Sequence, residues 1–316
     1  MPTMGLKEVE HEITVLAPAE AVYQLIADVQ NWPQIFPPTV YVDRFEQTER
    51  EERIRIWATA NGQAKTWASR RVLDREKLRI EFRQEVSAPP VASMGGTWII
   101  EPISNSESRV RLLHDYRAIN DDPAGLKWID EAVDRNSRSE LTALKANVER
   151  VTASEKLIMS FEDEIEIRGS AKDVYDFINE ANLWTERLPH VARVSFEQDE
   201  QGLQTLEMDT RAKDGSTHTT KSIRVCFPHY RIAYKQITLP ALMDLHTGYW
   251  TFRETVNGVR AASQHTVIIK EENIARILGP QADVEKAKDY VRTALSTNSR
   301  ATLGYAKEYA EAKRSK

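Results

Sequence analysis

Polar and apolar residues alternate near the start of the chain, with Glu8, Glu10 and Glu12 set against Val9, His11, Ile13 and Val15. That period of two predicts a strand of about ten residues. Pro18 stops it. From Ala19 to Val29 the apolar positions Ala21, Val22, Leu25, Ile26 and Val29 recur at spacings of three and four, which predicts an amphipathic helix. Pro33, Pro37 and Pro38 then leave room for only a short second helix and force a corner. Alternating segments follow at Val40–Gln47, Glu52–Ala60, Ala64–Leu73, Leu78–Val86, Thr97–Ile103 and Val110–Ile119. Short turns join them, Asn61-Gly62 among these, so the strands pair antiparallel; a parallel crossover needs about a dozen residues or more. A long helix, Pro123–Val148, closes the series with an apolar stripe of Leu126, Ile129, Val133, Leu141, Leu144 and Val148. Polar Asn136-Ser137-Arg138 breaks that stripe in mid-helix.

The same order then runs again. Displacing the chain by 152 positions lays Val22-Tyr23 on Val174-Tyr175, Trp32 on Trp184, Arg79-Ile80 on Arg231-Ile232 and Trp98 on Trp250. At a displacement of 162, Asn136-Ser137-Arg138 meets Asn298-Ser299-Arg300. Asp214-Gly215 takes the place of Asn61-Gly62, Asn257-Gly258 marks another turn, and the closing helix spans Pro280–Ala312. A unit this long far exceeds the roughly 20–50 residues of a solenoid repeat, so each copy is a domain in its own right. The expected boundaries are 1–152 and 153–316, with the linker between Val148 and Lys156. The fold class is α+β: two tandem helix-grip units, each a curved antiparallel sheet wrapped around its long C-terminal helix so that both apolar faces are buried.

With 316 residues, 41% of them apolar, there is material for two cores. The single cysteine, Cys226, cannot form a disulfide within the chain and fits a reducing, cytoplasmic setting. No apolar run approaches the roughly 18 residues of a spanning helix, and the acidic N-terminus does not read as a secretory leader, so no membrane association is expected. A net charge of −5 argues against nucleic acid as a partner. Gly-rich phosphate loops, His-Glu-x-x-His, paired Cys-x-x-Cys and Gly-x-Ser-x-Gly are all missing, so neither a metal nor a nucleotide cofactor is expected.

Candidate chemistry sits on the fourth strand, where period two places Trp67, Ser69 and Arg71 on one face. In the second copy the same register gives Thr220, Ser222 and Arg224. Arg71 is either a surface cation or turned inward, and an inward guanidinium needs a partner or a wet cavity. Around such a cavity Trp32, Trp57, Trp67 and Trp98 offer flat walls, with His114 and Tyr116 from the last strand and Asn136 from the long helix. Trp184, Trp250 and Asn298 are the second unit's equivalents. The tryptophans equally suit core packing, Trp98 and Trp250 most of all. By the 152 displacement Thr266 takes the place of His114, with His265 one residue earlier and on the opposite face. Arg70, Arg75, Lys77, Arg79 and Arg83 alternate away from the inward set, as a basic docking patch or a plain solvated face.

Taken together, the tandem units, Trp67-x-Ser69-x-Arg71, Trp32, Trp98 and Asn136 resemble the didomain aromatase/cyclases of bacterial type II polyketide synthases, members of the START-like superfamily. The resemblance covers essentially the whole chain. It implies a poly-β-ketone delivered by an acyl carrier protein, with the other type II synthase subunits as partners and no cofactor. The reaction implied is aldol closure of the first ring, between carbons 7 and 12, followed by dehydration. By the same resemblance Arg71 polarises a ketone oxygen, Ser69 hydrogen-bonds nearby, and Trp67 and Trp98 shape the chain; Arg224 and Ser222 repeat the pair, although Thr220 has lost the indole. Arg71 is always protonated and so cannot be the base, which leaves His114, a water or a carboxylate the sequence does not single out. A START-like carrier of lipid or another hydrophobic ligand, without catalysis, is the alternative; an inward cation counts against it.

Overall fold

In the computed structural model β1 (Lys7–Val15) alternates as its sequence does, turning Glu8, Glu10 and Glu12 to solvent. Glu10 and Glu12 pair with Arg111 and Arg109 on the neighbouring strand, which is why acidic residues are at home on this face. The structure describes residues 6–149, 156–199, 202–211, 215 and 217–314; the expected linker and Asp214 lie outside them. The chain divides into two units, Met1–Thr152 and Ala153–Lys316.

In the first unit, α1 (Ala19–Ala27) and α2 (Trp32–Ile35) lead into β2 (Thr39–Gln47), β3 (Glu51–Ala60), β4 (Gln63–Asp74), β5 (Arg79–Val86), β6 (Val91–Ser104) and β7 (Glu107–Ala118). The sheet order is β1-β7-β6-β5-β4-β3-β2, antiparallel throughout, so the last strand returns to the first. Helix α3 (Pro123–Glu149) then lies across the concave face. Its Leu141, Leu144 and Val148 pack with Val15, Ile80, Trp98, Ile100 and Leu112, while Ile129 and Val133 pack with Tyr116 and Ala118. Each large aliphatic side chain buried this way contributes about 1.5–3 kcal/mol, which holds helix and sheet together.

The second unit repeats the plan: β8 (Ile158–Ile167), α4 (Ala171–Asn179), α5 (Trp184–Arg187), β9 (Val191–Gln198), β10 (Leu203–Arg211), β11 (Thr217–Phe227), β12 (Arg231–Thr238), β13 (Met243–Thr255), β14 (Gly258–Ile269), α6 (Ile274–Leu278) and α7 (Val284–Arg314). Its sheet order is β8-β14-β13-β12-β11-β10-β9. Both units are helix-grip folds, each a curved antiparallel sheet around its long C-terminal helix.

Several details differ from the sequence expectation. Strand β6 begins at Val91 rather than Thr97, because Gly95 and Gly96 hide its alternation. Glycine is needed at position 96: a Cβ there would lie 1.9 Å from the Leu113 carbonyl oxygen and 2.6 Å from Phe82. Helix α7 starts at Val284, after Gly279 (φ 94°) has ended the unexpected α6. Asn61 and Gly62 form the expected left-handed turn, with φ of 49° and 75°, whereas the second unit turns at Val256-Asn257 with Gly258 already paired to Thr255.

The register also corrects the place of His265. Gly96 faces His114 and Gly248 faces His265, so His265, not Thr266, is the counterpart of His114 and shares its face. The cause is an irregularity in β6 between Pro102 and Ser104 that β13 lacks there, which shortens the second hairpin by one residue and shifts every later position.

Candidate active site

Of the two orientations open to it, Arg71 takes the inward one, and it is only 1% exposed. Helix α1 explains why it is tolerated there. The last carbonyls of a helix have no partner within it, and Arg71 supplies one: Nη2 donates to Ile26 O (2.7 Å) and Nη1 to Ala27 O (3.2 Å). Nη1 also pairs with Glu52, its register partner on β3, and Glu52 is held in turn by Arg44 Nε at 2.7 Å. The guanidinium lies over the Trp32 ring, 4.9 Å from its centre, and Trp32 Nε1 donates to Ile26 O (3.2 Å). Arg71 and the buried Ser69 do not line the cavity; Trp32 does.

That cavity, of about 130 Å³, lies between the concave sheet and α3. Trp32, Trp67 and Trp128 form its flat walls, with Trp128 also beneath the Lys65 ammonium at 5.5 Å. Its polar wall comes from Gln84 on β5, His114 on β7, and Asn136, Ser137 and Glu140 on α3. Asn136 Nδ2 donates to Thr59 O (3.0 Å), fastening α3 to the end of β3. Two residues of the polar break in the α3 stripe, Asn136 and Ser137, are therefore cavity wall, while Arg138 is exposed and pairs with Asp134.

Beside the Lys65 ammonium, two titratable groups of this wall, Glu140 and His114, are neutral near pH 7 for the same reason. Burial pushes the Glu140 carboxyl up to about 8, and burial, with His11 adding a smaller effect, holds the His114 imidazole down to about 4. The buried Nδ1 of His114 has no hydrogen-bond partner. A protonated carboxylic acid and a neutral imidazole in one cavity can give and take a proton at the same pH.

Of the residues singled out in the sequence, Trp32, Trp67, His114 and Asn136 meet at the cavity; others do not. Trp57 is out of phase with the cavity-lining Ile56 and Ala58, so strand parity turns it to the other face, against Tyr41 at 5.8 Å. Trp98 stacks on Phe36 (6.2 Å) within the core, and Tyr116, buried among Ile129 and Val133, donates its hydroxyl to Asp130 (2.7 Å). Sequence reading missed Lys65, Gln84, Trp128, Ser137 and Glu140. Glu140 had a signal: Ile129, Val133, Asn136 and Glu140 follow one another at three and four on α3. On the outer face Arg70, Arg75, Lys77, Arg79 and Arg83 each meet a carboxylate, of Glu51, Glu20, Asp74, Glu81 and Asp115, so the stripe carries little net charge.

In the second unit Arg224 Nη2 donates to Ile178 O (2.7 Å), and the guanidinium lies 5.2 Å from the centre of the Trp184 ring. Gln204 stands opposite it where the first unit has Glu52, and Arg224 Nη1 is buried without a partner. Ser222 Oγ is 3.5 Å from Leu206 O, Trp184 and Trp250 are core residues, and Asn298 lends its carbonyl to Thr302 (2.9 Å).

The model of the family of polyketide cyclases/dehydrases and lipid transport proteins matches residues 7–149. The granaticin polyketide synthase bifunctional cyclase/dehydratase of Streptomyces virginiae is 55% identical over 299 residues, covering 94% of this chain and 98% of that protein. The chain belongs to the polyketide cyclase/dehydratases. Among solved structures, the di-domain ARO/CYC BexL from the BE-7585A biosynthetic pathway is 62% identical with a TM-score of 0.86, covering 96% of this chain and 99% of its own. The di-domain ARO/CYC StfQ from the steffimycin pathway is 34% identical, also at a TM-score of 0.86, covering 98% and 100%. As a polyketide cyclase/dehydratase the chain is an enzyme, and closing a ring and losing water both require proton movement beside a carbonyl. Neutral His114 and protonated Glu140 are the groups of the cavity suited to it.

Proposed function

We propose that this enzyme closes the first ring of a poly-β-ketone tethered to an acyl carrier protein, joining carbons 7 and 12, and then dehydrates it, with ring closure in the cavity of the first unit. The observation that carries this reading is the presence of neutral His114 and protonated Glu140 in one cavity with indole walls. His114 takes a proton from a methylene flanked by two ketones, the carbanion attacks a second ketone, and Glu140 protonates the developing alkoxide. Such methylenes are already acidic, so the larger contribution is conformational: Trp32, Trp67 and Trp128 hold two chosen carbons near bonding distance and exclude other foldings. The choice of carbons 7 and 12 rests on the resemblance to the didomain class.

Arg71 enters this mechanism as a positioning residue that fixes Trp32 and the end of α1; Arg224 does the same for Trp184. Ser69 and Ser222 share the strand face of those arginines, two residues earlier. A carrier of apolar tails would gain nothing from Lys65, Gln84, His114 and Glu140 in its wall. The single cysteine suits work in the cytoplasm beside the other synthase subunits. Purified protein added to a minimal type II polyketide synthase should change the first-ring pattern of the products, and His114→Gln or Glu140→Gln should reduce that change by about 10²-fold or more. An unchanged product mixture with the wild-type protein would overturn the reading.

A further inference from the structure

Strand register equates four interior positions of the two units, and the Asn-Ser-Arg repeated on the two closing helices equates a fifth. Phe82, Met94, Leu112, His114 and Ser137 correspond to Tyr234, His246, Ser263, His265 and Ser299. Met94, His114 and Ser137 belong to the cavity wall of the first unit. In the second unit three apolar members of the set have become polar, and the five side chains form one hydrogen-bonded cluster. Ser299 Oγ lies 2.8 Å and Ser263 Oγ 3.2 Å from His265 Nε2. His265 Nδ1 is 2.9 Å from both His246 Nε2 and the Tyr234 hydroxyl, which is itself 3.3 Å from His246 Nε2. His246 and His265 are 2% and 4% exposed. Glycine at 248 makes the arrangement possible, since a Cβ there would stand 2.6 Å from the Tyr234 hydroxyl and 2.2 Å from the Gln264 carbonyl.

Within the cluster His246 Nδ1 is the one side-chain atom buried without a partner. A purely structural cluster has no use for it: Phe, Met and Leu fill the same positions in the first unit, and a buried orphan acceptor weakens a fold. Burial keeps both imidazoles neutral. With His265 donating Nε2–H to Ser299 and His246 donating Nε2–H to His265, the free Nδ1 of His246 is a lone pair backed by a chain of proton acceptors.

We propose that the second unit holds its own acid–base site, in which His246 and Tyr234 remove water from the ring that the first unit has closed. The proposal rests on the cyclase reading above and assigns its second half. A proton passes from the methylene carbon beside a ketone to His246 Nδ1 while the bond to the neighbouring hydroxyl breaks. That hydroxyl takes the phenolic proton of Tyr234 and leaves as water, and the new pair of electrons becomes the carbon–carbon double bond. The Nε2 proton of His246, directly or through His265, returns to the Tyr234 oxygen. The cluster ends neutral, with His246 in its other tautomer. His265 and Ser299 position His246 and do not touch the substrate.

The test uses the full chain with a minimal type II polyketide synthase and two variants, His246→Met and Tyr234→Phe, each installing the residue that the first unit carries there. Ring closure should proceed at the same carbons as with wild type, while the ratio of hydrated to dehydrated ring, separated by the mass of one water, rises about tenfold or more. Folded variants with a wild-type ratio overturn the proposal, as does loss of ring closure together with dehydration. Should His246→Met unfold, Tyr234→Phe, which removes a single oxygen, decides alone. Wild-type protein that leaves the product pattern unchanged brings down the cyclase reading itself, a result distinct from either variant outcome.

Discussion

Glu140 pits stability against chemistry within one side chain. A free carboxyl ionises near 4.5, whereas this one holds its proton to about 8. The stability tied to its neutral form is complete below about pH 4.5 and is lost as pH rises toward 8. Glu140→Gln keeps the shape and removes the proton, so at pH 7.5 it should stabilise the first unit by roughly 1–3 kcal/mol while depressing ring closure; below pH 4.5 the melting temperatures should converge. Thermal melts of both forms at pH 4, 6 and 7.5 would check this, and a constant difference across that range would refute it. Arg71 makes the opposite case. Arg71→Ala removes the guanidinium donor from the carbonyls of Ile26 and Ala27, leaving Ile26 O with the Trp32 indole N–H and Glu52 with Arg44 alone, which should cost about 2–4 kcal/mol by denaturant titration. Activity should fall through Trp32, as a rise in KM more than a drop in kcat. That Arg71 shares a face with Trp67 and Ser69 was legible from period two; that this face turns inward was one of two open alternatives. The partners of Arg71 were not legible, because Glu52 and the end of α1 come to it only when the sheet curls. Trp57 was misplaced by weighing bulk over parity.

Among the elements, the helices and most strands could be read from periodicity, and the failures came where no apolar or polar mark records the structure. A single extra residue in the β6–β7 hairpin shifts every later register position, and no periodicity within a strand reveals it. That slip hid the equivalence of His114 and His265, and with it the correspondence of the two interiors. Gly95-Gly96 hid half of β6 in the same way, since glycine is neither an apolar nor a polar mark. Gly96 nevertheless sets the site, because it faces His114 and admits the Phe82 ring, 5.4 Å from that imidazole. Gly96→Ala would drive its methyl into the Leu113 carbonyl, a backbone atom that cannot step aside. The β6–β7 pairing should open there, at a cost of about 2–4 kcal/mol, with loss of ring closure. Hydrogen exchange should show lost protection at Leu113 and its neighbours; unchanged protection would show that the sheet yields elsewhere.

At the scale of the molecule, duplication has produced two interiors of opposite electrostatic character. The first unit has its own apolar clusters and a cavity whose carboxyl must stay protonated. The second has separate clusters and a pair of neutral imidazoles in contact. Expressed alone, 1–152 and 153–316 should therefore each fold, and they should answer to pH differently. In the second unit burial depresses His265 to about 4 and holds His246 well below its free value, against about 6.5 when unfolded. The stability of a base depressed in this way is present above pH 6.5 and is lost as pH falls, because the unfolded chain takes up protons that the fold refuses. These two groups, moderated by their contact, amount to roughly 2–4 kcal/mol between pH 6.5 and 5, and His190, which burial also holds below its free value, acts in the same direction. The first unit has one such group, His114, whose loss over that interval is offset by the gain from protonated Glu140. Lowering the pH from 7.5 to 5 should thus lower the melting temperature of the second unit by several degrees and leave the first unchanged or slightly raised. Parallel shifts in both halves would mean that the buried imidazoles are not neutral in the fold, and would remove the basis for a base at His246.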